Sequence, residues 1–293
     1  MQPIIVSSGG SLPAPSFPAS EVRRYYDTNT ATFVRRGQGG SLGAIHRAVW
    51  GPGVTDRRRA FRYVEDLILR RLDAIAPDRA AQVLDLGCGI GGSLTYLAQQ
   101  RRLRGTGVTL SPVQAHLGQQ RVVEMGLDDR VRILEGDYTA LPADIRDVDL
   151  AYAIESFVHG PSPERFLAEA RRVLVPGGLL VVCDDVRIDD GDPVARRTLE
   201  QFARGWHVNT LIAPAALREL ASRSGFDHVE TNDLTPFLEL ARPRDRLIAL
   251  LTATLGRIPP LARRFAPLVG GAALQRGLAR GWIAYHCVIF RRR

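Results

Sequence analysis

Gln82 to Ser93 reads Q-V-L-D-L-G-C-G-I-G-G-S. Val83, Leu84 and Leu86 form the continuous apolar run of a buried strand, glycines follow at 87, 89, 91 and 92, and Leu94 to Gln100 reads as a helix. A strand, a glycine turn and a helix in that order suit a nucleotide-like ligand at the helix N-terminus. Gly87-x-Gly89-x-x-Gly92 also satisfies the dinucleotide fingerprint, which asks for an acidic residue about 20 residues on, to hold a ribose hydroxyl. The next strand, Arg104 to Leu110, ends in Thr109-Leu110-Ser111 with no carboxylate. An ordinary glycine-rich strand-to-helix turn is the competing reading.

The acid sits inside the strand instead, giving Asp85-x-Gly87-x-Gly89-x-Gly91. This resembles motif I of the class I S-adenosylmethionine (SAM) methyltransferases, and the resemblance implies that Asp85, Gly87, Gly89 and Gly91 hold SAM. Gly107-Val108-Thr109-Leu110-Ser111-Pro112-x-Gln114 resembles the ribose-holding segment of cyclopropane fatty acid synthases. It implies that Thr109, Leu110 and Gln114 replace the usual carboxylate, and that Asp137 and Tyr138 meet the adenine, with Ile154 and Tyr25 completing the cofactor set. For Asp137 a turn or helix cap is the alternative.

Ala153-Ile154-Glu155-Ser156-Phe157-Val158-His159 narrows the resemblance to carbon methyltransferases, since sterol and tocopherol methyltransferases carry a similar E-x-x-x-H there, as do prenyl diphosphate methyltransferases. An alkene that attacks a sulfonium methyl needs no prior deprotonation, but it becomes a carbocation that must lose a proton. A carboxylate facing the donor stabilises that cation and accepts its proton. Glu155 is therefore the expected base and His159 its orienter or a second base; a capping Glu and a structural His are the alternatives.

The chain of 293 residues is 45% hydrophobic, enough for a packed core. Cys88, Cys183 and Cys287 show neither metal-ligand spacing nor a disulfide framework. With no basic start before an apolar run and no run near 18 apolar residues, a reducing cytoplasm is expected. All basic side chains are Arg, and the net charge of +8 is uneven: residues 241–293 carry 11 Arg against Asp245 alone, whereas residues 1–240 carry 28 Arg against 30 acids. This C-terminal excess reads either as a solvated face or as a surface for a phosphorylated small molecule, nucleic acid or anionic membrane.

Alternating strand and helix patterns predict an α/β, Rossmann-like fold with a seven-stranded, mostly parallel sheet and helices on both faces. Residues 1–20 are expected to form a flexible arm, 21–75 a helical lid, and 76–293 the SAM-binding domain. Cap insertions are expected at about 187–212 and 236–280, the second a helical cap before the last strand. Tyr26, His46, Arg47, Trp50, Phe157, Phe202 and Trp206 are the expected substrate contacts, each with packing as its alternative. Asp184, Asp185 and Asp189 could hold Mg²⁺ against a diphosphate, or form an acidic surface loop.

An apolar cap with basic edges, together with His46-Arg47, suits a substrate with an oily body and an anionic head. The expectation is therefore a SAM-dependent C-methyltransferase acting on a geranyl- or farnesyl-type diphosphate, with no nucleic-acid partner, no membrane insertion and a possible homo-oligomer. Methylation of C, O or N in another natural product, RNA methylation, and SAM binding without methyl transfer are the competing readings.

Overall fold

The computed structural model describes residues 17–36, 42, 43, 45–240, 242 and 265–293. The expected arm up to residue 16, the segment around 37–41 and the expected cap helix at 246–255 lie outside the described residues. Seven strands, β1 (Ala81–Leu86), β2 (Leu103–Thr109), β3 (Val131–Glu135), β4 (Val148–Ile154), β5 (Leu174–Arg187), β6 (Phe226–Asp233) and β7 (Ile283–Arg292), form one sheet in the order β3-β2-β1-β4-β5-β7-β6. All neighbours from β3 to β5 pair in parallel; β7 runs antiparallel to both β5 and β6.

The continuous apolar strands are explained by helices on both faces. In β1, Val83 packs to one side with Leu150, Tyr152 and Val181, among Val64, Ile68 and Leu72 of α2 (Arg57–Ile75) and Leu94 and Leu97 of α3 (Gly92–Gln100). Leu84 and Leu86 pack to the other side with Ala151, Ala153 and Val182, against Phe166, Leu167 and Val173 of α5 (Pro163–Val173) and Leu217 and Ala221 of α7 (Pro214–Arg223). The helix starts are written locally. Ser111, Ser162 and Asp192 each cap a helix whose next residue is proline: α4 (Pro112–Glu124), α5 and α6 (Pro193–Trp206).

Two elements lie outside this sandwich. Helix α1 (Ala19–Arg36) starts before the expected lid boundary, and Phe17 ahead of it is bound through its backbone N–H and carbonyl to the Asn209 side chain at 2.7 and 3.0 Å. Helix α8 (Ala266–Ala279) packs on α6, with Phe202, Leu199, Ala273 and Leu274 in one small core. The two helices meet at glycines: a Cβ on Gly205 would lie 2.5 Å from the Gly270 Cα. No described helix is long and apolar enough to cross a membrane.

The carboxyl ends of β1, β2, β4 and β5 share one edge of the sheet, where ligands collect in such folds. The antiparallel β7 begins at that edge, so its Tyr285 lies opposite Asp185.

Candidate active site

A cavity of about 620 Å³ opens over this edge. The β1 turn forms its floor. Gly87 takes φ +90°, and a Cβ there would come within 2.4 Å of the Ser156 Cβ, so only glycine fits. The N–H groups of Gly87 and Cys88 both donate to the Val108 carbonyl at 2.9 and 3.0 Å, which fixes the turn to β2. Asp85 accepts from the Tyr152 hydroxyl at 2.8 Å; burial raises its pKa to about 7, with Tyr152 opposing.

At the end of β2, Thr109 Oγ1 donates to Gln114 Oε1 at 2.7 Å, and Gln114 Nε2 donates to Thr30 Oγ1 at 3.1 Å. Ser111 Oγ donates to Asp27. Hydroxyl and amide groups thus stand where a carboxylate was missing, and α1 supplies the acid from outside. Tyr25 and Tyr26 on the same helix line the cavity, as do Leu110, Tyr138 and Ile154. A glycine cradle beside uncharged donors and acceptors fits the adenosyl and amino-acid parts of SAM.

Glu155 follows β4 at φ +50°, a strained conformation for a non-glycine residue. Its Oε1 accepts from Arg47 N at 2.8 Å, Arg47 Nε at 3.1 Å and the Tyr285 hydroxyl at 3.0 Å, while Oε2 has no protein donor among the described residues. Arg47 Nη1 also donates to Asp185 at 2.9 Å, and its guanidinium lies 4.1 Å from the Tyr285 ring centre. Burial opposes ionisation of Glu155, but the Arg47 and His46 charges and the Arg47 hydrogen bonds hold its pKa below the usual carboxylate value. Neighbouring Asp184 accepts from Val158 N and Asp185 N, and burial followed by the Asp185 charge pushes its pKa well up. His159 Nδ1 donates to the His207 carbonyl at 3.1 Å; burial lowers its pKa to about 4, so a neutral ring faces the cavity.

His46 lines the cavity with its donors already engaged. Nε2 donates to Glu65 at 3.0 Å and Nδ1 to the Arg47 carbonyl at 3.1 Å. Burial works against the imidazolium, but Glu65 raises its pKa to about 9. Glu65 Oε1 also receives Arg62 and Ser93, tying α2 and the start of α3 to the lid segment.

The geometry corrects several expectations. His46 and Arg47 are held by carboxylates, so neither offers an unpaired cation to an anionic head. Trp50 packs with Ala48 and Phe61 and Phe157 with Phe166, both away from the cavity. Asp137 accepts from Thr139 N and Oγ1 as a turn cap and does not line the cavity, and Gly91 starts α3 in the left-handed region without lining it. Asp189 accepts from Gly191 N in an exposed loop, apart from Asp184 and Asp185. Among the described residues, no group of three His, Cys, Asp or Glu is placed to hold a metal ion, so the Asp184, Asp185 and Asp189 set does not fit a protein-held Mg²⁺. Phe202 and Trp206 do line the cavity, Trp206 fixed by donating to the Pro267 carbonyl at 3.0 Å. Sequence reasoning missed Tyr285, Glu65 and Asp27, which reach the site only through the fold.

A family model described as a methyltransferase domain matches residues 84–182. Methyltransferase GfsG of Streptomyces halstedii is 32% identical over 201 residues, covering 68% of this chain and 70% of the relative. The chain belongs to the SAM-dependent methyltransferases. Over a longer span this methyltransferase is 29% identical to (+)-O-methylkolavelool synthase of Herpetosiphon aurantiacus, covering 78% of each. Over 109 residues it is 38% identical to sterol 4-C-methyltransferase strm-1 of Caenorhabditis elegans, a segment that spans 37% of the methyltransferase and 32% of that relative. Its fold matches a solved geranyl diphosphate methyltransferase (TM-score 0.73, 20% identity, 94% and 99% of the two chains) and the [4+2]-cyclase SpnF (TM-score 0.71, 23% identity, 95% and 98%).

Proposed function

We propose that the enzyme transfers a methyl group to an alkene carbon of an isoprenoid, a geranyl- or farnesyl-type diphosphate, in specialised terpenoid metabolism in the cytoplasm. The observation that carries this reading is the Glu155 carboxylate: ionised, backed on Oε1 by Arg47 and Tyr285, and bordering a cavity whose wall is mostly apolar. Bound SAM supplies an electrophilic methyl on sulfur. The alkene pair forms the new C–C bond as the S–CH₃ bond breaks, and S-adenosylhomocysteine leaves with that electron pair. The positive charge on the substrate carbon faces Glu155, which stabilises it. Loss of a neighbouring proton to Glu155 then restores the double bond.

A carboxylate of lowered pKa is a weak base. It suffices for a carbocation, whose adjacent C–H is strongly acidic, but gives little help in deprotonating an alcohol. Tyr25, Tyr26 and Trp206 add aromatic faces suited to a passing cation. Asp85, Gly87, Gly89, Thr109, Leu110, Gln114, Tyr138 and Ile154 are the proposed SAM contacts, with Tyr25 closing over them. Phe202, Trp206 and Tyr26 are the proposed substrate wall. Mg²⁺ enters this reading only as the counter-ion of the diphosphate.

O-methylation of a terpenoid hydroxyl is the second reading, favoured by the relative named for an O-methylated product. One assay separates the two. S-adenosylhomocysteine release is measured with isopentenyl, geranyl and farnesyl diphosphates and with the matching alcohols, with and without Mg²⁺, and the product is examined by NMR. A new methyl on carbon is the expected result; a methoxy signal would transfer the function to the second reading.

A further inference from the structure

One guanidinium serves two carboxylates at the cavity wall. Arg47 gives Nε to Glu155 at 3.1 Å and Nη1 to Asp185 at 2.9 Å, and all three residues line the cavity. The Asp185 side chain is only 3% exposed. With both acids ionised the trio carries one negative charge in excess, and burying such a charge is costly unless it serves the chemistry. The orientation of Glu155 does not require it. Its Oε1 is already held by Arg47 N at 2.8 Å and by the Tyr285 hydroxyl at 3.0 Å, and neither bond involves Asp185.

Asp185 acts on the guanidinium instead. It lies opposite Tyr285 in the β5–β7 register, and the Tyr285 ring centre stands 4.1 Å from the guanidinium carbon, so the cation is held between acid and ring. Burial works against the Arg47 charge, but Asp185 first and Glu155 after it hold its pKa well above the usual value. For Asp185 itself burial raises the pKa, Arg47 opposes, and the Glu155 charge adds to the rise. His46 of the lid, Tyr26 of α1, Cys183 and Asp184 of β5, Tyr285 of β7 and His159 also face Glu155, and Asp184 faces Asp185. Among the described residues, Arg47 is the group that bonds to both acids.

The reaction changes the charge of one of those acids. In the proposed step the C–H electron pair of the carbocation restores the double bond and its proton passes to Glu155. Arg47 then faces a neutral partner, and a buried cation without a counter-ion is strongly disfavoured. Its second bond, to Asp185, remains.

We infer that Asp185 is a positioning residue that holds the Arg47 charge in reserve, so that Glu155 can take the substrate proton without stranding a buried cation. This deepens the reading of Glu155 as the base and rests on it.

The two acids should therefore answer to each other, which is measured without turnover. In the full chain carrying ¹³C-carboxyl aspartate, the Asp185 resonance is assigned by its loss in Asp185→Asn and titrated by NMR. Glu155→Gln leaves Arg47 wholly to Asp185, so the Asp185 midpoint should fall by about one unit or more. An unmoved or raised midpoint would overturn the assignment. With geranyl diphosphate as acceptor, Asp185→Asn keeps an oxygen for Nη1 but removes the charge; it should lower kcat about tenfold or more at unchanged KM for SAM, with much of the loss restored in Asp185→Glu. A defect confined to KM or to melting temperature would make Asp185 a mere anchor of the lid. The two readings fail separately: full turnover in Glu155→Gln removes Glu155 from the reaction whatever the titration shows, whereas an unmoved Asp185 midpoint beside an inactive Glu155→Gln overturns the role of Asp185 alone.

Discussion

Glu155 stands at a left-handed position that a β4 strand end does not favour, and its Oε1 carries three donors. Removing its charge while keeping its shape isolates the chemistry. Glu155→Gln should retain SAM affinity and lose about 10²–10⁴-fold in kcat, measured by S-adenosylhomocysteine release at saturating SAM; near-normal turnover would remove Glu155 from the reaction. Tyr285→Phe deletes one donor and should lower kcat modestly, since Arg47 still supplies two. The acid itself was legible in the sequence because Glu155 and His159 share one short segment. Its partners were not. Arg47, Asp185 and Tyr285 are contributed by the lid, β5 and β7, with Arg47 separated from Glu155 by 108 positions and Tyr285 by 130. Arg47 carried the right chemical type and the wrong expected partner, because a charge in isolation says nothing about which opposite charge the fold will bring to it.

The elements most readable from sequence were those whose signals are local. The Asp85 to Gly92 turn, the Ser-Pro and Asp-Pro helix starts and the apolar strands all formed as their residues dictate. What escaped was contact between elements, such as α1 reaching over β2 through Asp27 and Thr30, or α6 and α8 closing to glycine-on-glycine distance. That crossing is a test of the cap. Gly270→Leu places a side chain where the Trp206 ring, at 2.8 Å from a Cβ, and the Gly205 backbone already stand. It should destabilise the protein by about 1–3 kcal/mol in chemical denaturation and weaken substrate more than SAM, judged by separate KM values. An equal loss for both ligands would mean that α8 supports the whole site rather than the cap.

Across the whole molecule, the buried His46–Glu65 pair links lid, α2 and α3, and it titrates. The His46 pKa is raised from 6.5 to about 9 in the folded protein, so its contribution is complete below pH 6.5 and lost as pH rises through about 9. Glu65 is lowered, so its share is lost at acid pH instead. Melting temperature should therefore fall on the alkaline side of neutrality, and His46→Gln should lower the neutral value and flatten that alkaline fall; an unchanged pH profile would remove the pair from the stability of the lid. The attachment of α1 has a kinetic meaning as well. Its Asp27 and Thr30 grip Ser111 and Gln114, and Gln114 is one of the β2-end groups proposed to receive the ribose. The donor half is thus roofed by a helix, so exchange of the nucleoside is expected to require these contacts to part. Turnover is then expected to be ordered, with the spent nucleoside leaving last; product inhibition by S-adenosylhomocysteine that is competitive against SAM alone is the pattern that checks it.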